Sequence, residues 1–127
     1  DQLGFNYRLP NLNAALGCAQ MEQLKGFIET KRAIAKRYEN WFSSKNYTFI
    51  TEPVNSKSNY WFNSFLANDR EERDSILGYA NENNVMMRPA WTPMHSLEMF
   101  TNYQKTDLTN TIWLEERLVN IPSSVIT

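Results

Sequence analysis

Residues 4–20 read GFNYRLPNLNAALGCAQ, and the rest of the chain is best read outward from them. The stretch opens as a polar, aromatic loop, Phe5-Asn6-Tyr7-Arg8, passes through Leu9-Pro10 and becomes an alanine-rich apolar segment. Pro10 biases Leu9 toward an extended backbone and suits the first turn of a helix, where its missing N–H costs nothing. A loop loaded with hydrogen-bonding side chains and delivered by a rigid helix is a common way to present a binding group. On its own the loop names no ligand.

The helical pattern runs far beyond this stretch. Leu12, Ala15, Leu16, Ala19, Leu24, Phe27 and Ile28 recur at helical spacing, and Ile34, Ala35, Tyr38, Trp41 and Phe42 continue the stripe. Such a length is unusual for a globular helix. Gly26, the weakest helix former in its middle, is the expected place for a bend or break. Glu22, Lys25, Glu29, Arg32, Lys36 and Glu39 fall between the apolar positions and read as a solvated face. Cys18, among alanines with no flanking base to lower its pKa, reads as a small core residue. Ser43-Ser44-Lys45-Asn46 ends the pattern.

The remainder alternates short strands and helices. Residues 47–51 (YTFIT) form a strand candidate, residues 53–59 a turn, and residues 60–67 (YWFNSFLA) the best strand, dense in aromatics. Asp69 with Glu72 three residues on resembles a capping box and predicts a helix to about Glu82. Residues 85–88 start another strand, residues 97–103 hold one helical turn, and residues 107–119 read as a last helix. Residues 120–124 are extended, an edge strand by the argument that Pro122 cannot donate to a ladder. The resulting class is α+β (an α/β sandwich): a long N-terminal helix plus a small, mainly antiparallel sheet covered by helices.

Composition narrows the function classes. At 127 residues the chain is one domain's worth. Aromatic residues make up 13%, with four Trp, six Tyr and seven Phe, which points to a core shared with something else or to a wide contact surface. Thirteen basic residues against fourteen acidic leave no excess to neutralise phosphates, so nucleic acid is a poor partner. The single cysteine excludes an internal disulfide, and no apolar run approaches the ~18 residues of a membrane span. No secretory signal is visible; the chain begins with Asp rather than Met and is expected to be cut from a longer protein.

Chemistry is sparse. The four glycines are scattered, so there is no phosphate loop; His95 is the only histidine, so no His-pair metal site exists. No serine sits in a nucleophile elbow. Site-like residues concentrate in Asn6-Tyr7-Arg8 and in residues 88–95 (RPAWTPMH). Arg offers a fork to phosphate, Trp a stacking face, and His a group that titrates near neutrality. The second stretch therefore suits an anionic or ring-shaped ligand. Equally, it is a loop that packs Trp91 on the core and exposes the rest, and from these residues alone that plainer reading is slightly favoured.

The first motif, GFNYRLPNLNAALGCAQMEQL, resembles the pattern G-x-N-Y-R-[ML]-x-[ND]-x-x-A-A-x-x-x-x-Q-L of the DegT/DnrJ-type nucleotide-sugar aminotransferases, pyridoxal-phosphate enzymes of the aspartate-aminotransferase fold type. Arg32 and Tyr38, the aromatic strand, Arg88, the Trp91–His95 loop, Glu116-Arg117 and Ile121-Pro122-Ser123-Ser124 follow in the same order. RPAWTPMHSLEMF looks most like the branch making amino sugars for bacterial surface glycans such as lipopolysaccharide. The resemblance implies that residues 1–127 are the C-terminal (small) domain, about the last third of the enzyme, with 1–42 the active-site loop and linking helix. It implies a cytoplasmic homodimer with a shared site that takes an amino-acid donor, glutamate foremost, and a nucleotide-sugar acceptor. The Schiff-base lysine would lie upstream, so no catalytic residue is assigned to this chain, and the fragment alone is expected to be inactive. By the same resemblance Asn6 contacts the cofactor phosphate in the neighbouring subunit's site, Arg8 lies near the nucleotide-sugar diphosphate, and His95, flanked by Trp91 and Arg88, contacts the nucleotide sugar. Ser96-Leu97-Glu98 departs from relatives that carry a Gln soon after the loop His. Two other outcomes of the same scaffold are a deoxysugar dehydratase, in which the lysine is replaced, and a non-catalytic sugar-sensing or interaction domain.

Overall fold

The computed structural model describes Gly4 and residues 9–125. Helix α1 spans Asn11–Phe42, β1 Thr48–Phe49, β2 Asn63–Leu66, α2 Arg70–Glu82, β3 Arg88–Pro89, α3 Thr109–Glu115 and β4 Leu118–Ile121. Two 3-10 turns, Met94–Ser96 and Glu98–Phe100, lie between β3 and α3. This is the expected order of elements and the expected α+β class, with a sheet that is antiparallel throughout.

The strands run in the order β1-β2-β4-β3. Asn63 pairs with Ile121 and Phe65 with Val119, so these four side chains share one face. All four are buried. Phe49, opposite Phe65, extends that face to β1. Helices α1 and α2 lie on it: Phe42 of α1 and Ile76 and Leu77 of α2 pack against the same cluster. Phe42 stacks on Phe49 (ring centroids 5.5 Å apart, planes at 16°) and leans on Phe65 at 5.0 Å. The opposite face carries the half-buried Ser64, Leu66, Leu118 and Asn120, with the Ser64 hydroxyl donating to Asn120 Oδ1 at 2.7 Å.

Polar contacts fix α1 to the end of β4. Lys31 Nζ donates to the Ser123 carbonyl at 2.8 Å, and the Tyr38 hydroxyl to the Pro122 carbonyl at 2.9 Å. Lys31 and Tyr38 are seven residues apart, two helical turns, and so lie on one side of the helix. The buried Asn63 anchors the start of β2: its N–H and its side-chain amide both donate to Ser123 Oγ, at 2.8 and 3.1 Å.

Several expectations are corrected. The backbone of α1 continues through Gly26 without a break, because a glycine costs only ~1 kcal/mol in a helix interior. Residues 120–124 are not an edge strand: β4 begins at Leu118 and lies inside the sheet, hydrogen-bonded to β2 and β3, and Pro122 falls just past its end. Cys18 is exposed rather than in the core, as are Leu12 and Leu16, which are 81% and 61% accessible. The first half of the helix has no partner among the described residues that would cover this stripe. Only Ala35 and Phe42 of α1 are fully buried.

The Asp69 cap is found as read. Its carboxylate accepts from the Glu72 N–H at 2.8 Å. Glu72 returns to the Asn68 N–H at 2.8 Å, one residue before the position of a standard capping box, and also accepts from the Tyr47 hydroxyl at 2.8 Å. The Asn68 N–H first, then the Tyr47 hydroxyl, hold the Glu72 carboxyl below its ordinary range. Arg73, buried on α2, is paired with Asp74 and reaches the Glu115 carbonyl, tying α2 to the end of α3.

Phe42→Ala removes the ring that joins α1 to both β1 and β2. A loss of about 3–5 kcal/mol is expected, read as a lower midpoint of chemical denaturation with the helix signal lost in the same transition.

Candidate functional site

The site-like loop leaves β3. Arg88 pairs with Asn120 and Pro89 with Val119. Arg88 therefore lies on the face away from the helices, with Ser64 and Asn120, and Asn120 Nδ2 donates to the Pro89 carbonyl at 3.2 Å. The Arg88 guanidinium is exposed, and among the described residues its side-chain hydrogen bond is to Met86 Sδ at 3.7 Å. Trp91 is 72% accessible, so the reading that packs it on the core is overturned. Its ring meets Phe62 at 5.6 Å, with the planes at 67°. β3 leads away from Ile121, whereas Phe62 immediately precedes Asn63, the partner of Ile121. The segment after Pro89 must therefore fold back across the sheet to reach Phe62. His95 is half-buried in the Met94–Ser96 turn. Among the described residues, Arg88, Trp91 and His95 share one loop but make no hydrogen bond or ring contact with each other. Asn6 and Arg8 lie outside the described residues.

A second set of residues was not anticipated. Arg32 is not on a solvated face. Its guanidinium grips Glu52 through both nitrogens, at 2.9 and 2.7 Å, and also donates to the Ser58 carbonyl at 2.6 Å. The same guanidinium lies 5.6 Å from the centre of the Tyr60 ring. Glu52 accepts from the Ser58 N–H at 2.7 Å, and the Glu52 N–H donates to the Tyr60 hydroxyl at 3.1 Å. These bonds hold residues 52–60 against α1. The Arg32 hydrogen bonds, followed by the Ser58 N–H, bring the Glu52 carboxyl from 4.5 to about 2.

That clamp leads into a strained backbone. Tyr60 has φ 47°, a left-handed conformation that a bulky residue seldom adopts. The strand expected from residue 60 begins instead at Asn63. Trp61 is withdrawn from the ladder because its N–H bonds Asn59 Oδ1 at 3.0 Å and its carbonyl accepts from Lys31 at 3.2 Å. Nothing in the sequence marks this rotation; the nearest signal is the density of aromatics at residues 60–62, ahead of a buried asparagine.

Two concavities lie elsewhere on the fold, and neither is lined by Arg32, Glu52, Trp61, Arg88, Trp91 or His95. A groove of about 930 Å³ lies between α1, α2 and the sheet, lined by apolar side chains including Ile34, Trp41, Phe65, Ile76 and Met87. A smaller polar one, about 410 Å³, includes Lys45, Asn68 and Arg117. Among the described residues there is no group of three potential metal ligands, and no helix is long and apolar enough to cross a membrane. Of the described lysines, Lys31 is committed to two carbonyls, Lys36 pairs with Glu39, and Lys45 lies over the Trp41 ring.

A small antiparallel sheet with helices on one face and a long leading helix is a recurring partial fold, and comparison with known proteins places it. The profile of the DegT/DnrJ/EryC1/StrS aminotransferase family matches residues 1–126, and the chain belongs to that family. GDP-perosamine synthase of Escherichia coli O157:H7 is 34% identical over 130 residues, which cover 97% of this chain and 33% of that protein. Among solved structures, PseC of Helicobacter pylori, an aminotransferase involved in the biosynthesis of pseudoaminic acid, has a TM-score of 0.80 at 16% identity, covering 96% of this chain and 34% of that one. The PLP form of Spr1654 from Streptococcus pneumoniae has a TM-score of 0.81 at 17% identity, covering 93% of this chain and 31% of that one. At these identities the structures show a shared fold. The chain spans about a third of the length of the curated relatives it matches.

Glu52 gives a test of the clamp. Its folded pKa lies below the unfolded value, so the pair's contribution is present above 4.5 and lost as pH falls through about 2. Glu52→Gln is expected to lower stability near neutral pH and to flatten the acid limb in that window, measured as denaturation midpoints across it.

Proposed function

We propose that this chain is the C-terminal, small-domain portion of a pyridoxal-phosphate-dependent enzyme. The enzyme moves an amino group from an amino acid, with glutamate the expected donor, to a nucleotide-linked keto sugar used in bacterial surface glycans. The observation that carries the reading is family membership over residues 1–126, together with the identity to a GDP-perosamine synthase along nearly the whole chain. The placement of the exposed Arg88 and Trp91 and the half-buried His95 within one short stretch, on β3 and the segment that follows it, supports it.

Residues 1–127 make up the small domain, with 1–42 its active-site loop and linking helix. Bound pyridoxal phosphate supplies the electron sink for amino transfer. This chain's part is to bind and orient. Asn6, a neutral amide, donates to a phosphate oxygen of the cofactor without adding a full charge. Arg8 and Arg88 pair with the diphosphate, for which a guanidinium fork is suited. Trp91 offers a face to a ring of the substrate, and His95 a hydrogen bond to the nucleotide sugar. The exposed apolar stripe on the first half of α1, including Leu12, Leu16 and Met21, is explained if the rest of the enzyme and a second subunit cover it in a cytoplasmic homodimer.

Two outcomes test the reading. The purified 127-residue chain is expected to show no transamination and weak or no cofactor binding; turnover by the fragment would contradict the division of labour. In the complete protein, Asn6→Ala is expected to weaken pyridoxal phosphate binding, followed through the cofactor's absorbance. A complete protein that dehydrates the nucleotide sugar without aminating it would overturn the transaminase reading.

A further inference from the structure

We propose that Trp61, Phe62 and Trp91 form a stacking subsite for the nucleobase of the nucleotide-linked substrate, an inference that rests on the aminotransferase reading above. The three rings are continuous. Trp61 and Phe62 lie 4.9 Å apart with planes at 35°, and Phe62 and Trp91 lie 5.6 Å apart with planes at 67°. All three are accessible, at 67%, 41% and 72%. Two exposed tryptophans joined through a phenylalanine are a large apolar surface to leave in water, and such patches mark binding sites.

The rings are also held ready. The Trp61 backbone is fixed on both sides, its N–H by Asn59 and its carbonyl by Lys31. Before it, the Arg32–Glu52 clamp holds the strained Tyr60. After it, Asn63 is buried and bound to Ser123. Strain at a bulky residue persists only where the surroundings over-determine it, and here it takes Trp61 out of the strand. A rigid backbone that leaves its aromatic side chains in solvent is the arrangement of a preformed binding face.

The chemistry favours a flat heteroaromatic ring over a sugar ring. A hexose or ribose brings several hydroxyls that need hydrogen-bonding partners. The neighbouring Lys31 already donates to the Trp61 and Ser123 carbonyls, Asn59 Oδ1 already accepts from the Trp61 N–H, and among the three rings only the indole N–H groups are polar. A base needs only a π-face to stack. Arg88, exposed on the strand that leads into Trp91, is available to the phosphates that follow the base.

The test compares two probes on the complete protein, GMP and ribose 5-phosphate, which differ by the base. Calorimetric titration of Trp61→Ala is expected to show GMP binding weakened roughly tenfold and ribose 5-phosphate binding unchanged within about twofold, as for the loss of one base–aromatic stack. Trp61→Phe, which keeps a ring, is expected to retain most of the GMP affinity. Equal weakening of both probes, unaltered GMP binding in Trp61→Ala, or no GMP binding by the parent protein overturns the subsite. Amino transfer is assayed separately. A protein that binds GMP through Trp61 but aminates no nucleotide sugar refutes the transaminase reading alone, whereas amination with GMP binding indifferent to Trp61 refutes the subsite alone.

Discussion

The contact between Phe42 and the sheet is what the rest of the architecture depends on. Strands of two to four residues expose little apolar area, and a helix of 32 residues has no reason to settle on them unless one point holds it. Phe42, in the last turn of α1, stacks on Phe49 and leans on Phe65, meeting β1 and β2 together. Because Phe65 pairs with Val119, the same point reaches β4, the strand that joins both halves of the sheet. The polar bonds from Lys31 and Tyr38 to the end of β4 then set the direction in which the helix leaves. At 1.5 Å per residue, α1 is roughly 48 Å long, and the portion beyond these tethers extends past the sheet with its apolar stripe uncovered.

This geometry separates two jobs within one helix. The C-terminal half serves the sheet: Ala35 and Phe42 are buried, and Lys31, Arg32 and Tyr38 are engaged. The N-terminal half presents Leu12, Leu16 and Met21 outward. Asn11, where α1 begins, is thereby placed at the far end of a rigid rod.

Much of the fold was legible. Helical periodicity and the Asp69–Glu72 cap are local, and local signals survive in the tertiary structure. The motif at residues 4–20 led to the family because its spacing is a pattern of sequence. Other readings failed where a distant partner decided the outcome. Arg32 looks like any charged residue between apolar ones; only the return of Glu52 turns it into a bidentate pair. Trp61 looks like a strand residue until Lys31 and Asn59 take its backbone groups. Residues 120–124 looked like an edge because of Pro122, yet the ladder had already been made by residues 118–121. Trp91 looked like a core residue because large aromatics usually are, and the core was already filled by Phe42, Phe65, Val119 and Ile121.

By itself the sequence determined the order of elements, the α+β class, the helix cap and the family, since each of these is written in neighbouring residues or in fixed spacings. Only the tertiary structure decided which face of the sheet is covered, which charges are spent on the fold, and which aromatics are left in solvent. Those outcomes depend on pairs far apart in the chain, such as Lys31 with Ser123, Arg32 with Glu52 and Phe62 with Trp91. The physical reason is that a side chain's role follows from what occupies the space around it, and in this chain that space is filled by residues from other elements.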